Sequence, residues 1–74
     1  MHKLPSLSAL RAFESVSRLK SVKKAAEELH VTHPAISHQL KQLESYFNQP
    51  LMQKIGRGVG TTKSGELLSQ ALRL

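Results

Sequence analysis

The first half of the chain carries apolar residues at helical spacing. In the first such segment every third residue is apolar: Leu7, Leu10, Phe13 and Val16. This spacing is typical of a helix with one apolar face. Pro5 and Ser6 precede the segment as helix start signals, so we predict a first helix over residues 7–17.

Two further apolar segments predict a pair of helices joined by a tight turn. Apolar residues at i, i+3, i+4 and i+7 follow the candidate N-cap Ser21 and predict a helix over residues 22–29: Val22, Ala25, Ala26 and Leu29. A second set follows the candidate N-cap Thr32 and predicts a helix over about 33–47, with Pro34 in its first turn: Ile36, Leu40, Leu43 and Phe47. Only His30 and Val31 separate the second helix from Thr32, so we predict a helix-turn-helix pair.

The apolar faces of these three helices are expected to pack together and form the core of the fold. We expect it to contain side chains from each helix: Phe13, Ala26, Leu29, Ile36, Leu40 and Leu43. One domain of this length buries only about 60% of its unfolded surface, so helix packing has to be efficient.

Residues 52–61 predict a small β-hairpin, which we call the wing. Asn48, Gln49 and Pro50 end the third helix, and two short β-prone segments then flank Gly56, Arg57 and Gly58. These three residues predict a three-residue loop with a basic tip. After the wing, Thr62 is a candidate N-cap of a fourth helix with an apolar face: Leu67, Leu68, Ala71, Leu72 and Leu74. That face has to be covered either by the same core or by a second copy of the chain, so a homodimer and a monomer both stay open.

The polar face of the third helix carries the candidate chemistry. Opposite and beside the predicted buried face lie five residues: His33, Pro34, Ser37, His38 and Lys41. No acidic residue occurs on this helix before Glu44, and imidazole, hydroxyl and ammonium groups can bond to base edges or phosphates. We therefore predict that the third helix reads base pairs in the major groove of double-stranded DNA.

The charge balance supports an anionic partner. Eleven Lys and Arg residues stand against five acidic residues, all Glu, which gives a net charge of +6. This charge alone does not separate DNA from RNA or from an anionic membrane. Two cations at the start of the second helix, two in the wing and the two N-cap hydroxyls are candidate phosphate or wing contacts: Ser21, Lys23, Lys24, Thr32, Lys54 and Arg57.

Other classes of function fit the sequence less well. The chain has no Cys and no Asp, which removes thiol nucleophiles, Ser-His-Asp triads and most carboxylate dyads, so we predict no enzyme activity. His30, His33 and His38 lack the spacing and the further ligands of a metal site, and we predict neither metal nor cofactor. No segment has transmembrane length, and the absence of cysteine fits a reducing cytoplasm. A helical protein-protein interaction module without DNA binding stays the alternative.

Four segments together resemble a known family: LPSLSALRAFESV, SVKKAAEELHVTHPAISHQLKQLE, PLMQKIGRGV and TTKSGE. They are similar, over nearly the whole chain, to the N-terminal DNA-binding domain of the LysR-type transcriptional regulators. The resemblance implies a mainly α, winged helix-turn-helix fold with a three-helix core, a short β-hairpin and the start of a linker helix that pairs two subunits.

The resemblance also implies the domain division and the site residues. It implies a DNA-binding domain over residues 1–61 and the start of a linker or dimerisation helix over 62–74, in a truncated chain that lacks the effector domain. It places His33, Pro34, Ser37, His38 and Lys41 at the contact positions of the recognition helix. Lys23 and Lys24 match phosphate contacts, and Arg57 matches the arginine of the wing. Histidine replaces the usual Gln at His33 and the common Arg at His38, so the base preference of the family does not transfer to these positions.

Overall fold

Hydroxyl side chains start all the helices that the computed structural model contains in residues 4–73, the residues it describes. The elements are α1 (Leu7–Leu19), α2 (Val22–Leu29), α3 (His33–Phe47), β1 (Met52–Ile55), β2 (Gly58–Thr61) and α4 (Lys63–Leu72). Each N-cap hydroxyl accepts a hydrogen bond, 3.0–3.2 Å long, from the backbone N–H three residues later: Ser6, Ser21, Thr32 and Thr62. The predicted bounds of α2 and α3 are confirmed, as is the mainly helical winged helix-turn-helix fold.

The first helix is longer than the predicted 7–17. It runs to Leu19, because Leu19 lies three residues after the buried Val16 and packs, partly buried, against the core. Lys20 then ends the helix in the left-handed conformation, with φ of 56°. His30 and Asn48 end α2 and α3 in the same way, with φ of 58° and 54°.

Replacing His30 with glycine is expected to stabilise the fold. A side chain in the left-handed conformation costs about 1 kcal/mol, and glycine avoids that cost at a helix C-terminus. We expect the free energy of unfolding to rise by about 1 kcal/mol and Tm to rise by about 4–8 °C. Thermal unfolding checks this, with Glu27→Gly in the same helix as the control, where glycine should lower Tm. A lower Tm for His30→Gly would contradict the prediction.

Most of the predicted core residues are buried in the structure, and the buried face of α1 differs from the predicted one. The buried apolar side chains of the core come from the three helices and from the segment before the wing: Ala9, Ala12, Phe13, Val16, Ala25, Ala26, Ile36, Leu40, Leu43 and Leu51. Leu29, predicted as core, is only partly buried, because it is the last residue of α2 and lies at the edge of the cluster. Phe47, the last residue of α3, is 39% exposed and forms an edge-to-face pair with Tyr46 instead of entering the core.

Leu7 was predicted on the buried face of α1 and is 71% exposed. The reason is the helical period. A step of three residues falls about 60° short of a full turn, so residues spaced by three drift around the helix by about 180° over nine residues. Leu7 therefore lies on the side opposite Val16, and Ala9, Ala12, Phe13 and Val16 form the buried face instead.

The wing is an antiparallel pair of strands with a shorter loop than predicted. Ile55 pairs with Gly58, so the loop holds two residues, Gly56 and Arg57, and not three. Gly56 has a φ of 58°, a conformation that glycine adopts without strain. Gly58 belongs to β2, where the carbonyl oxygen of Lys20 would lie 2.9 Å from an added Cβ. Glycine at this position therefore lets the wing lie directly on the end of α1.

An ionic network joins α1 to α2. The Ser15 hydroxyl, buried in the core, donates a hydrogen bond of 2.6 Å to Glu28 Oε2. The Arg18 guanidinium lies 2.9 Å from Glu14 and 2.5 Å from Glu28. The hydrogen bond from Arg18, followed by that from Ser15, lowers the pKa of Glu28, and the two carboxylates raise the pKa of Arg18.

Because the pKa of Glu28 is lower in the folded state, its bonds stabilise the fold above the ordinary pKa of about 4.5. This contribution is lost as the pH falls through the lowered folded value. We therefore expect Glu28→Gln to have a lower Tm than the parent at pH 6, and the difference to shrink towards pH 3. Thermal unfolding across this range checks the prediction, with the exposed neighbour Glu27→Gln as control. A difference that stays constant with pH would contradict it.

Candidate nucleic-acid interface

The third helix presents an exposed polar face because its opposite face is held in the core. Ile36, Leu40 and Leu43 are buried against the other helices. On the other side, His33, Pro34, His38 and Lys41 are exposed, and Ser37 is half-buried. Within residues 4–73 the side chains of His33, His38 and Lys41 have no hydrogen-bonded partner in the protein. Their donors and acceptors can therefore serve an external ligand.

The predicted reading residues do not all line one surface feature. His38 and Lys41 lie along a broad, open depression of about 570 Å³ between α3 and the segment before α1, with Ser45 and Tyr46 further along the helix. His33 and Ser37 do not line this depression. The structure therefore arranges the five residues along the exposed length of a helix and not in a closed pocket, as a groove-reading helix requires.

The N-termini of α2 and α3 carry the predicted phosphate contacts. Lys23 and Lys24 are exposed in the first turn of α2. Ser21 and Thr32 use their hydroxyl oxygens as acceptors for the caps, at 3.0 and 3.2 Å from the amides of Lys24 and Ala35. Each hydroxyl still has its O–H as a donor, which can bond to a phosphate oxygen. The positive end of each helix dipole favours an anion at the same place.

The wing carries the remaining predicted cations at a separate place. Lys54 is exposed in β1, and Arg57 is exposed in the two-residue loop at the tip. By contrast, Arg18 is paired with Glu14 and Glu28. The candidate cations thus fall into three groups, which lie at the start of α2, on α3 and on the wing.

The sequence reasoning missed Glu44 as a structural link. Its Oε2 accepts hydrogen bonds from the backbone N–H groups of Leu51, at 2.7 Å, and Met52, at 3.2 Å. Lys20 has a related role, because its carbonyl oxygen accepts a long hydrogen bond of 3.4 Å from the Val59 N–H. The sequence did contain one indication of a role for Glu44. It is the single acidic residue within residues 33–47 and lies shortly before the wing.

The described residues contain no group of three His, Cys, Asp or Glu side chains arranged to bind a metal ion. Within residues 4–73, no helix combines the length and the apolar character needed to cross a membrane.

The sequence of the chain and its structure are both similar to those of known bacterial regulatory proteins. Residues 7–66 match the family described as "Bacterial regulatory helix-turn-helix protein, lysR family". The chain is 56% identical over 68 residues to the HTH-type transcriptional regulator TrpI of Pseudomonas aeruginosa, covering 92% of this chain and 23% of TrpI. The chain thus spans about a quarter of the length of this curated relative.

Solved structures of two DNA complexes are similar to the whole fold. The complex titled BenM_DBD/benA site 1 DNA has a TM-score of 0.83 at 33% identity, covering 89% of this chain and 77% of that chain. The CbnR_DBD-DNA complex has a TM-score of 0.86 at 28% identity, covering 92% and 78%. The family match covers most of the chain, and the family is one of transcriptional regulators and not of enzymes. The chain therefore belongs to the lysR family of bacterial regulatory helix-turn-helix proteins and corresponds to their DNA-binding domain.

Proposed function

We propose that this chain binds double-stranded DNA in a sequence-specific manner, with α3 in the major groove and the wing on the adjacent groove or backbone. The observation that carries the proposal is the exposed, polar and acid-free stretch of α3 before Glu44, which faces outward because the opposite apolar face is buried. An α-helix fits the width of the major groove, where each base pair presents a distinct pattern of donors and acceptors. The two DNA complexes with the same fold support this placement.

The proposed base-reading residues are His33, Pro34, Ser37, His38 and Lys41. An imidazole offers one donor and one acceptor, a hydroxyl offers both, and an ammonium group donates to the O6 and N7 atoms of guanine. Pro34 has no amide donor and offers an apolar surface, which suits the methyl group of thymine. What supports these assignments is that all five side chains lie on one side of α3, four of them exposed and Ser37 half-buried, while the core fixes the opposite side.

The proposed phosphate contacts are Ser21, Lys23, Lys24, Thr32, Lys54 and Arg57. They supply donors from the starts of α2 and α3 and from the wing. Phosphate contacts fix the position of the protein on the duplex and supply most of the affinity that depends on salt. Bacterial DNA lies in the cytoplasm, so we propose that compartment for the chain.

The experiment is selection from a randomised duplex library with the 74-residue chain, followed by fluorescence anisotropy on the selected duplex and a scrambled one. We expect an enriched motif and a Kd for it about 10³-fold or more below that of the scrambled duplex. The logarithm of the binding constant should fall with the logarithm of the salt concentration, with a slope of about −0.9 per phosphate contact. Retention of the library no better than that of a neutral polymer would refute the proposal.

We also propose that residues 1–61 form the DNA-binding domain and that residues 62–74 begin a linker helix through which two copies pair. Leu68 of α4 packs, partly buried, against the core, whereas Leu67 is 63% exposed. An exposed leucine beside a partly buried one leaves an apolar surface that a second copy can cover. Leu74, part of the predicted apolar face, lies outside the described residues.

Introducing a charge at Leu67 is expected to dissociate the proposed dimer. Sedimentation at micromolar concentration should show a dimer for the parent chain and a monomer for Leu67→Glu, because the carboxylate cannot be buried without a partner. Lys63→Glu is the matched control, since it adds the same acid to an exposed position of α4 without removing an apolar side chain. A monomeric parent chain would reject pairing through this helix alone.

A further inference from the structure

We propose that Glu44 is a positioning residue, which sets the angle of the wing against α3 and thereby places Lys54 and Arg57 on DNA. The inference rests on the proposed function, in which the wing contacts the duplex. It adds a role for a carboxylate that itself has no attraction for a phosphate backbone.

The hydrogen bonds of Glu44 join the recognition helix to the base of the wing. A single oxygen, Oε2, accepts from two successive amides, those of Leu51 at 2.7 Å and Met52 at 3.2 Å. Two amides that converge on one anionic oxygen form a concave anion site and make charge-assisted bonds. Leu51 is buried in the core, and Met52 is the first residue of β1. The carboxylate therefore fixes the point at which the wing leaves the core.

The wing also packs on the core through Met52 and Val59, and its other backbone hydrogen bonds to the rest of the fold do not reach α3. On the side of β2, the Val59 N–H reaches the Lys20 carbonyl only at 3.4 Å, which is a weak bond. At the base, the Thr62 N–H donates to the Leu51 carbonyl at 3.0 Å and closes the hairpin onto itself. Within residues 4–73, Glu44 is the one side chain of α3 that hydrogen-bonds to β1 or to the residue before it.

A small rotation at the base of the wing produces a large displacement of its tip. Four strand residues span about 13 Å, so a rotation of about 10° at Met52 moves the loop by about 2 Å. The length of a charge-assisted hydrogen bond from Arg57 to a phosphate varies by only a few tenths of an ångström, so after such a displacement the arginine has to adopt a different and more restricted conformation to keep the bond, which lowers the affinity. Loss of the Glu44 bonds should therefore appear as weakening of the wing contacts.

The sign of the effect separates positioning from charge. A carboxylate on a helix that faces DNA repels phosphates, so its removal should strengthen binding if charge alone matters. If the carboxylate positions the wing, removal of its acceptor oxygen should weaken binding. Repulsion alone therefore predicts tighter binding for Glu44→Met, which lacks the carboxylate, and positioning of the wing predicts weaker binding for the same variant.

Three variants of the 74-residue chain carry the test, with affinity for the selected duplex as the readout. Glu44→Asp keeps the charge but is one methylene too short, and Glu44→Met keeps the length but has no oxygen acceptor. We expect both to weaken binding about tenfold, the value of one charge-assisted hydrogen bond to phosphate. Glu44→Gln keeps an acceptor oxygen at the same reach and should bind within about twofold of the parent. Glu27→Asp and Glu27→Met, on the exposed side of α2, are the matched controls and should not weaken binding.

Combination with Arg57→Ala distinguishes positioning from general destabilisation. In the parent, Arg57→Ala should weaken binding and lower the salt slope by about 0.9. In Glu44→Asp or Glu44→Met the same substitution should add little, because the wing contact is already weakened. All variants are measured well below their own Tm, and if one of Glu44→Asp and Glu44→Met does not fold, the other carries the test.

Three results would overturn the proposal. Folded Glu44→Asp and Glu44→Met proteins that bind as tightly as the parent would overturn this inference alone, provided that Arg57→Ala weakens the parent. Fully additive effects of the substitutions at Glu44 and Arg57 would do the same. A parent chain that does not bind duplex DNA would instead overturn the proposed function, and this inference with it.

Discussion

Replacing Phe13 with alanine is expected to destabilise the fold by about 3–5 kcal/mol, the usual cost of truncating a buried aromatic side chain. Phe13 is fully buried, at 0% exposure, and lies in the face of α1 that packs on both other core helices. A chain of 74 residues has a total stability of about 4–11 kcal/mol at the usual value per residue. The substitution therefore removes a large part of the stability and should unfold a substantial fraction of the molecules.

Urea unfolding followed by far-UV circular dichroism checks this expectation. Phe47→Ala is the matched control, because it removes the same ring from a helix in which that ring is 39% exposed. We expect the control to cost less than about 1 kcal/mol, as most substitutions outside the core do. Equal losses of stability at Phe13 and Phe47 would show that the buried face of the helices has been placed incorrectly.

The helix-turn-helix pair could be predicted from the sequence because its determinants are local. Ser21 and Thr32 lie within three residues of the amides that they cap, and the two-residue connection at His30 and Val31 permits only a tight turn. On α3 the helical period then fixes which side chains share a face. The exposed positions of His38 and Lys41 followed directly from the apolar positions of Ile36 and Leu40.

The face of α1 was harder to predict because two patterns compete in the same residues. Leucines spaced by three suggested one face, whereas the small residues Ala9 and Ala12 permit the close approach of another helix on a different face. Hydrophobicity alone favours Leu7, and packing geometry favours alanine. The local pattern that decides between them is the helical period, because Ala9, Ala12, Phe13 and Val16 fall at i, i+3, i+4 and i+7, whereas residues spaced only by three do not stay on one face.

The link through Glu44 could not be predicted for a different reason. The carboxylate and the amides of Leu51 and Met52 are seven and eight residues apart, across the left-handed end of α3 at Asn48 and the irregular residues 49–50. Their approach depends on the path of this irregular segment, which sequence periodicity does not describe. The proposed contribution of the wing to DNA binding would therefore depend on a residue whose negative charge, taken by itself, argues against any role at a DNA interface.

Alanine substitution at His38 and at Lys23 is expected to separate base reading from phosphate binding. For His38→Ala the free energy of binding to the selected duplex should become less favourable by about 1–3 kcal/mol, because one contact with a base edge is lost. Binding to a scrambled duplex should change little, and discrimination at one base pair should be relaxed. At Lys23 the affinities for both duplexes should fall together, and the salt slope should decrease by about 0.9.

Fluorescence anisotropy on both duplexes, repeated at several salt concentrations, measures the two effects independently. Lys63→Ala is the control, since it removes an exposed cation of α4 that belongs to none of the three proposed groups of contacts. It should change affinity only slightly through the net charge. If His38→Ala instead lowered the affinity for both duplexes equally, reduced the salt slope and left discrimination between base pairs intact, the His38 side chain would be assigned to a phosphate of the DNA backbone. Since α3 is fixed in the core by Ile36, Leu40 and Leu43, the base contact would then have to move along the same exposed side, to Ser37 or Lys41.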